Sequence, residues 1–126
     1  VGDLATAPTS LAYRRGRLAL RCSPFTQGFL AVMLARSVAV GELVGPQAVA
    51  KGYTRRVLSL AQAERETAWL LALGVLRREV DGQGLTDRFR LTPLGRQLLA
   101  EWQTTPWPPP TWRERLRHFC WRWLKR

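Results

Sequence analysis

Eight side chains between residues 55 and 90 have the chemistry to grip or read a polyanion: Arg55, Arg56, Gln62, Arg65, Arg77, Arg78, Arg88 and Arg90. A guanidinium is a planar fork that fits two phosphate oxygens, or O6 and N7 of guanine, and a glutamine amide fits adenine in the same two-point way. Each good pair with a base contributes about 1–3 kcal/mol of discrimination. Six or more arginines along one edge would also make affinity fall steeply with salt. Duplex DNA is the first expectation for this set.

A second set lies in TWRERLRHFCWRWLKR, residues 111–126. Trp112, Leu116, Phe119 and Trp123 recur at intervals of four, three and four, and so line one side of a helix, with Cys120 and Leu124 beside them. Arg113 and Arg117 border that stripe, and Arg115, His118, Arg122 and Lys125 form an opposing one. A basic helix with tryptophans at its apolar boundary suits an anionic lipid surface. The same pattern suits packing on its own body, on a second copy, or on another protein, with arginine stems covering apolar surface. Trp107, in the proline run just before, is a further candidate anchor.

Catalysis is not expected. His118 is the single histidine, and among arginines in the tail it reads as a solvated residue. Glu64 and Glu66 stand two apart and so do not share a helical face. Asp81 and Asp87 read as turn and strand-end residues. Cys22 and Cys120 provide neither a disulfide framework nor metal-ligand spacing, and Cys22 reads as packing. No cofactor or metal is implied. The cysteine usage fits a reducing cytosol, no signal peptide is visible, and the apolar stretch from Phe29 to Ala35 is too short to span a bilayer. The expected location is cytoplasmic, or peripheral at a membrane.

The charge supports an anionic partner. The 126 residues carry 20 basic and 9 acidic side chains, a formal net charge of +11, and all but two of the basic residues are arginine. Residues 104–126 alone hold 6 basic and 1 acidic side chain, so the tail carries close to half of the excess.

These residues need elements to position them. Residues 1–9 read as loose, and a helix is expected from Ser10 to Arg21, weakened by Gly16. Ser23-Pro24 then reads as the start of a second helix carrying Phe25, Phe29, Val32, Met33 and Arg36. A short helix is expected around Glu42 to Val44, broken by Gly45-Pro46. Ser59 and Gln62 have capping-box spacing for a helix that runs to Gly74. Val75, Leu76 and Val80 read as one strand, Phe89 and Leu91 as its partner, with Asp81-Gly82-Gln83-Gly84 as the reversal. Thr92 and Pro93 open a helix to Gln103. TTPWPPPTW allows only an extended spacer, after which Thr111 caps the last helix. The expected division is an extension over 1–17, a domain over 18–103, a proline-rich spacer over 104–111 and a basic amphipathic helix over 112–126.

Three helices, a hairpin and a helix in this order describe a winged helix-turn-helix, an α+β fold, here with an extra helix at each end. The run from LGVLRR through DGQG to FRLTPLGRQLL is similar in spacing to small bacterial winged-helix regulators, in which a glycine ends the recognition helix and an LTPxG turn follows the wing. LRCSPF, GYTRR and LRREVDGQGLTDRFRLTPLGRQL resemble a small, functionally uncharacterised family of cyanobacterial winged-helix proteins, over roughly residues 18 to 100. The resemblance implies a fold and a phototrophic source, and no activity.

The expected function is therefore a small, dimeric transcriptional regulator that binds DNA. The alternative is a non-catalytic assembly or accessory factor of a phototroph, attached by its tail to an anionic membrane or a membrane protein complex. Glu64, Glu66, Asp81 and Asp87 would oppose a polyanion. Trp69, Leu70, Leu71 and Leu73 are too many for one narrow apolar stripe, so Trp69 is expected to be covered by the tail, a second subunit or another protein.

Overall fold

The computed structural model describes residues 10–124. The expectations for residues 1–9, for Lys125 and for the Leu124 side chain lie outside the described residues. Among those described there are six α-helices and a three-stranded antiparallel sheet, an α+β arrangement.

Helix α1 (Leu11–Cys22) starts where Ser10 accepts the Tyr13 backbone N–H. Gly16 does not weaken it, because the glycine is where α1 meets helix α5 (Pro93–Thr104). A Cβ there would lie 2.8 Å from Leu98 Cδ1. Ser23-Pro24 is not a helix start, which corrects the expectation: Ser23 is the extended C-cap of α1. Thr26 caps the short α2 (Gln27–Val32), accepting from the Phe29 N–H and donating to the Gly52 carbonyl.

The helical spacing anticipated as far as Arg36 ends at Val32. The chain turns and forms a strand that periodicity over so few residues could not show, β1 (Val38–Ala39). A 3-10 turn over Val40–Leu43 takes the place of the expected helix around Glu42, with the Glu42 carboxylate accepting the Ala39 N–H at 3.0 Å. Gly45-Pro46 opens a helix instead of breaking one. Gly45 adopts φ +80°, and Pro46 is the first residue of α3 (Pro46–Ala50), where a missing N–H costs nothing.

Helix α4 (Leu60–Ala72) carries both bonds of the anticipated capping box, and Gly74 at φ +78° ends it. Strands β2 (Leu76–Asp81) and β3 (Gly84–Leu91) form the hairpin, with Asp81 opposite Gly84 and Val80 opposite Leu85. Strand β1 pairs with the other edge of β3, placing Val38 opposite Phe89 and giving the order β1-β3-β2. Thr92 caps α5 as expected and also donates to the Gly74 and Val75 carbonyls, which ties the helix to the end of α4. A methyl on Gly95 would collide with the Val75 carbonyl oxygen, so only glycine allows this approach.

Phe25, Phe29, Leu30, Met33, Phe89 and Leu98 lie at the centre of one continuous apolar core. The proline spacer is pinned to this body. Trp107 stacks on Trp102 at 4.7 Å between ring centres, and its indole N–H donates to Glu101 at 2.6 Å. Glu101 also accepts from the Tyr13 hydroxyl at 2.8 Å. Burial, with that carboxylate as the second cause, pushes the phenol up to about 12.

Candidate docking face and arginine clusters

Helix α6 (Trp112–Leu124) opens with a capping box: Thr111 accepts the Glu114 N–H, and Glu114 accepts the Thr111 N–H. A helix of this length is marginal alone in water, so what it packs on decides its order. It runs against α1 and the flank of α4, opposite in direction to both, because Arg21 meets Glu114, Arg15 covers Trp121, Trp69 meets His118 and Glu66 meets Arg122.

The side facing the body carries Trp121, its ring 5.0 Å from that of Trp69, and otherwise polar groups. Arg21 forms a two-point ion pair with Glu114 at 2.7 and 2.9 Å and also donates to the Pro108 and Pro109 carbonyls. This pairing, with the Thr111 N–H, holds the Glu114 carboxyl below its ordinary range. Arg122 donates to both Glu66 oxygens at 3.1 and 3.3 Å, donates to the Arg65 carbonyl, and lies over the Trp69 ring.

His118 is not solvated; it is 7% exposed, which corrects the sequence expectation. The Trp69 indole N–H donates to its Nε2 at 3.0 Å, so that nitrogen carries no proton. Burial, and then the Arg122 charge, push the imidazole below its usual value, with Glu66 opposing. Trp69 is thus covered by the chain's own tail, one of the three covers anticipated.

The apolar stripe consequently faces out. Trp112, Leu116, Phe119 and Trp123 are between 54% and 70% exposed. Arg113 lies over the Trp112 ring, and Arg117 is exposed, lining a cleft with Arg14 and Leu18 of α1. Trp107 does not join this face, being half-buried on Trp102.

The eight candidate polyanion contacts do not form one surface. Gln62 accepts the Ser59 N–H through its side-chain oxygen, so its amide is engaged in the cap. Arg65 is exposed at the edge of α6, lining a cleft with Glu66, Phe119, Arg122 and Trp123, and Glu64 is exposed beside it in sequence. Arg78 lies over Phe89 and donates to the Thr86 carbonyl. Arg88 donates to the Ser37 hydroxyl at 2.8 Å, and Arg90 lies 3.7 Å from Glu79. Arg77 is exposed. Arg55 and Arg56 stand apart from the hairpin, beside Arg115 of α6, around a cleft of about 220 Å³.

Sequence reasoning missed Arg21, Glu101 and Glu114 as the residues that fix the tail. Only the TxxE spacing of Thr111 and Glu114 was a signal for any of them.

Among the described residues, no helix is long and apolar enough to cross a membrane. No curated protein and no solved structure matches the chain. The Npun_F0494-like family, named after a Nostoc punctiforme protein, matches residues 6–122, running through the spacer and well into α6. The tail is therefore part of the matched unit, and the chain belongs to the Npun_F0494-like family.

Proposed function

We propose that this chain is a non-catalytic docking module: a winged-helix body that holds α6 rigidly and presents its outer face to an anionic membrane surface. The winged-helix reading is supported by the succession α3, α4, hairpin and by the pairing of β1 on β3. The observation that carries the docking reading is the outward stripe of Trp112, Leu116, Phe119 and Trp123 on a helix already anchored by its other side. An exposed apolar patch with a charged rim marks an interaction site.

The rim favours one class of partner. Arg113 and Arg117 border the stripe, so a second copy would bring like charges together across the contact. An anionic leaflet is complementary instead, each basic residue near it adding about 1 kcal/mol.

Regulator activity is the outcome the test must exclude. The full chain is titrated with phosphatidylcholine–phosphatidylserine vesicles and with random-sequence duplex DNA, at low and high salt. Replacing Trp112, Phe119 and Trp123 by Ala weakens vesicle partition by at least about a hundredfold, given about 1.5–3 kcal/mol for each large apolar side chain buried. Arg77→Ala with Arg88→Ala, both on the hairpin, leaves partition nearly unchanged. Tight, steeply salt-dependent duplex binding that the arginine pair abolishes, with vesicle partition indifferent to the aromatic triple, would sink this reading and favour a DNA-binding regulator.

A further inference from the structure

We infer that the cleft between the end of α1, the loop at residues 53–56 and the first turns of α6 binds a phosphate group, held by Arg55, Arg56 and Arg115. The cleft measures about 220 Å³, and Cys22, Ser23 and Pro24 complete its lining. It contains three guanidinium groups and no carboxylate.

The nearest acid in sequence, Glu114, is held on both oxygens by Arg21 and turned away from this role. Among the described residues, the only side-chain hydrogen bond from the three arginines is a long one, 3.5 Å, from Arg55 to the Arg21 carbonyl. Other arginines packed against the body meet a carboxylate: Arg17 on Glu101, Arg36 on Glu42, Arg122 on Glu66. A concave site lined by one sign of charge concentrates the field on whatever enters it.

The positions are fixed by backbone. Phe25 bridges Thr54, and the Arg55 N–H donates to the Pro24 carbonyl at 2.8 Å, so the loop carrying Arg55 and Arg56 is laced to the chain after α1. Arg115 is set by the Thr111–Glu114 cap and the Arg21 pair. The partial positive charge of the α6 N-terminus adds to the arginines, and the α1 C-terminus opposes them. Three charges held around a cleft suit a multiply charged, multi-oxygen anion, since each fork can take two oxygens and none need share.

The site does not depend on the membrane reading. A phosphate could come from a lipid headgroup or from a soluble ester, and the experiment separates the two. Inorganic phosphate is titrated calorimetrically into the full chain at constant ionic strength. Phosphatidylcholine vesicles containing phosphatidic acid are then compared with vesicles of matched surface charge containing phosphatidylserine.

Saturable phosphate binding is expected, weakened about tenfold or more by Arg115→Gln, and likewise by Arg55→Gln with Arg56→Gln, as loss of a charge-assisted hydrogen bond implies. Arg77→Gln with Arg96→Gln removes the same charge elsewhere and leaves binding intact. A preference for phosphatidic acid that the cleft variants abolish assigns the headgroup as source. Phosphate binding without that preference assigns a soluble ester. Equal weakening by both double variants, or neither saturable phosphate binding nor a phosphatidic acid preference, overturns the site. Failure of the membrane reading is distinct, because it is read from the Trp112, Phe119 and Trp123 variants alone.

Discussion

The hairpin and α6 both project arginines from the body, and they use them in opposite directions. On β2 and β3, Arg78, Arg88 and Arg90 turn back to Phe89, Ser37 and Glu79, and the exposed apolar pair at the tip is only Val80 opposite Leu85. On α6 the inward arginine, Arg122, helps to anchor the helix, which leaves four large apolar side chains outside with a basic rim. The difference teaches that a cluster of arginines in sequence is not yet a basic surface. What each guanidinium finds within reach decides whether it faces a partner or holds the fold.

The comparison is broken most severely at Arg21. Arg21→Ala removes a two-point ion pair and two carbonyl contacts, so the docking of α6 and the spacer weakens by about 2–3 kcal/mol. Limited proteolysis between residues 104 and 111 should accelerate sharply, and vesicle partition should weaken although the outer stripe is intact. A smaller effect is expected on the hairpin. Arg88→Ala loses its bond to Ser37 at an exposed position, and thermal unfolding should register about 0.5–1 kcal/mol.

Acidification sharpens the contrast more gently, because one clamp titrates. The docked imidazole of His118 binds protons less readily than an undocked one, whose value is about 6.5. Between the two values the undocked state holds more protons, so docking weakens as pH falls below about 6.5 and is insensitive above it. Protonation also places an N–H opposite the Trp69 indole N–H. Tryptophan emission followed from neutral to acid pH should show this step in the native chain and lose it in His118→Phe; a step that persists in the variant refutes the assignment. The smallest effect belongs to the hairpin tip, where Val80→Thr should shift stability by no more than about 0.5 kcal/mol.

Much of the framework was legible because it rests on local chemistry. Ser59 with Gln62, Thr92 with Pro93, Gly74 and the Asp81–Gly84 reversal are signals whose bonds close within four residues. The misreadings came where two local signals compete. Ser23-Pro24 and Gly45-Pro46 are each able to end or open a helix; Thr26, outside the first pair, takes the cap of α2, and the +80° φ of Gly45 lets Pro46 open α3. Strand β1 has two residues, too few for alternation, and exists because β3 offers it an edge.

The candidate sites were legible as residue types and much less as places. By itself the sequence determined that the tail is an amphipathic helix and which four residues form its apolar stripe, because helical periodicity is a local property of the chain. It also determined the arginine excess. Only the tertiary structure decided which side of that helix faces inward. Arg21, Glu66 and Trp69 supply partners for Glu114, Arg122 and His118, and burying a polar group is tolerated when those partners are in place. The same long-range pairing gathers Arg55 and Arg56 beside Arg115, residues about sixty apart in sequence that no periodicity connects.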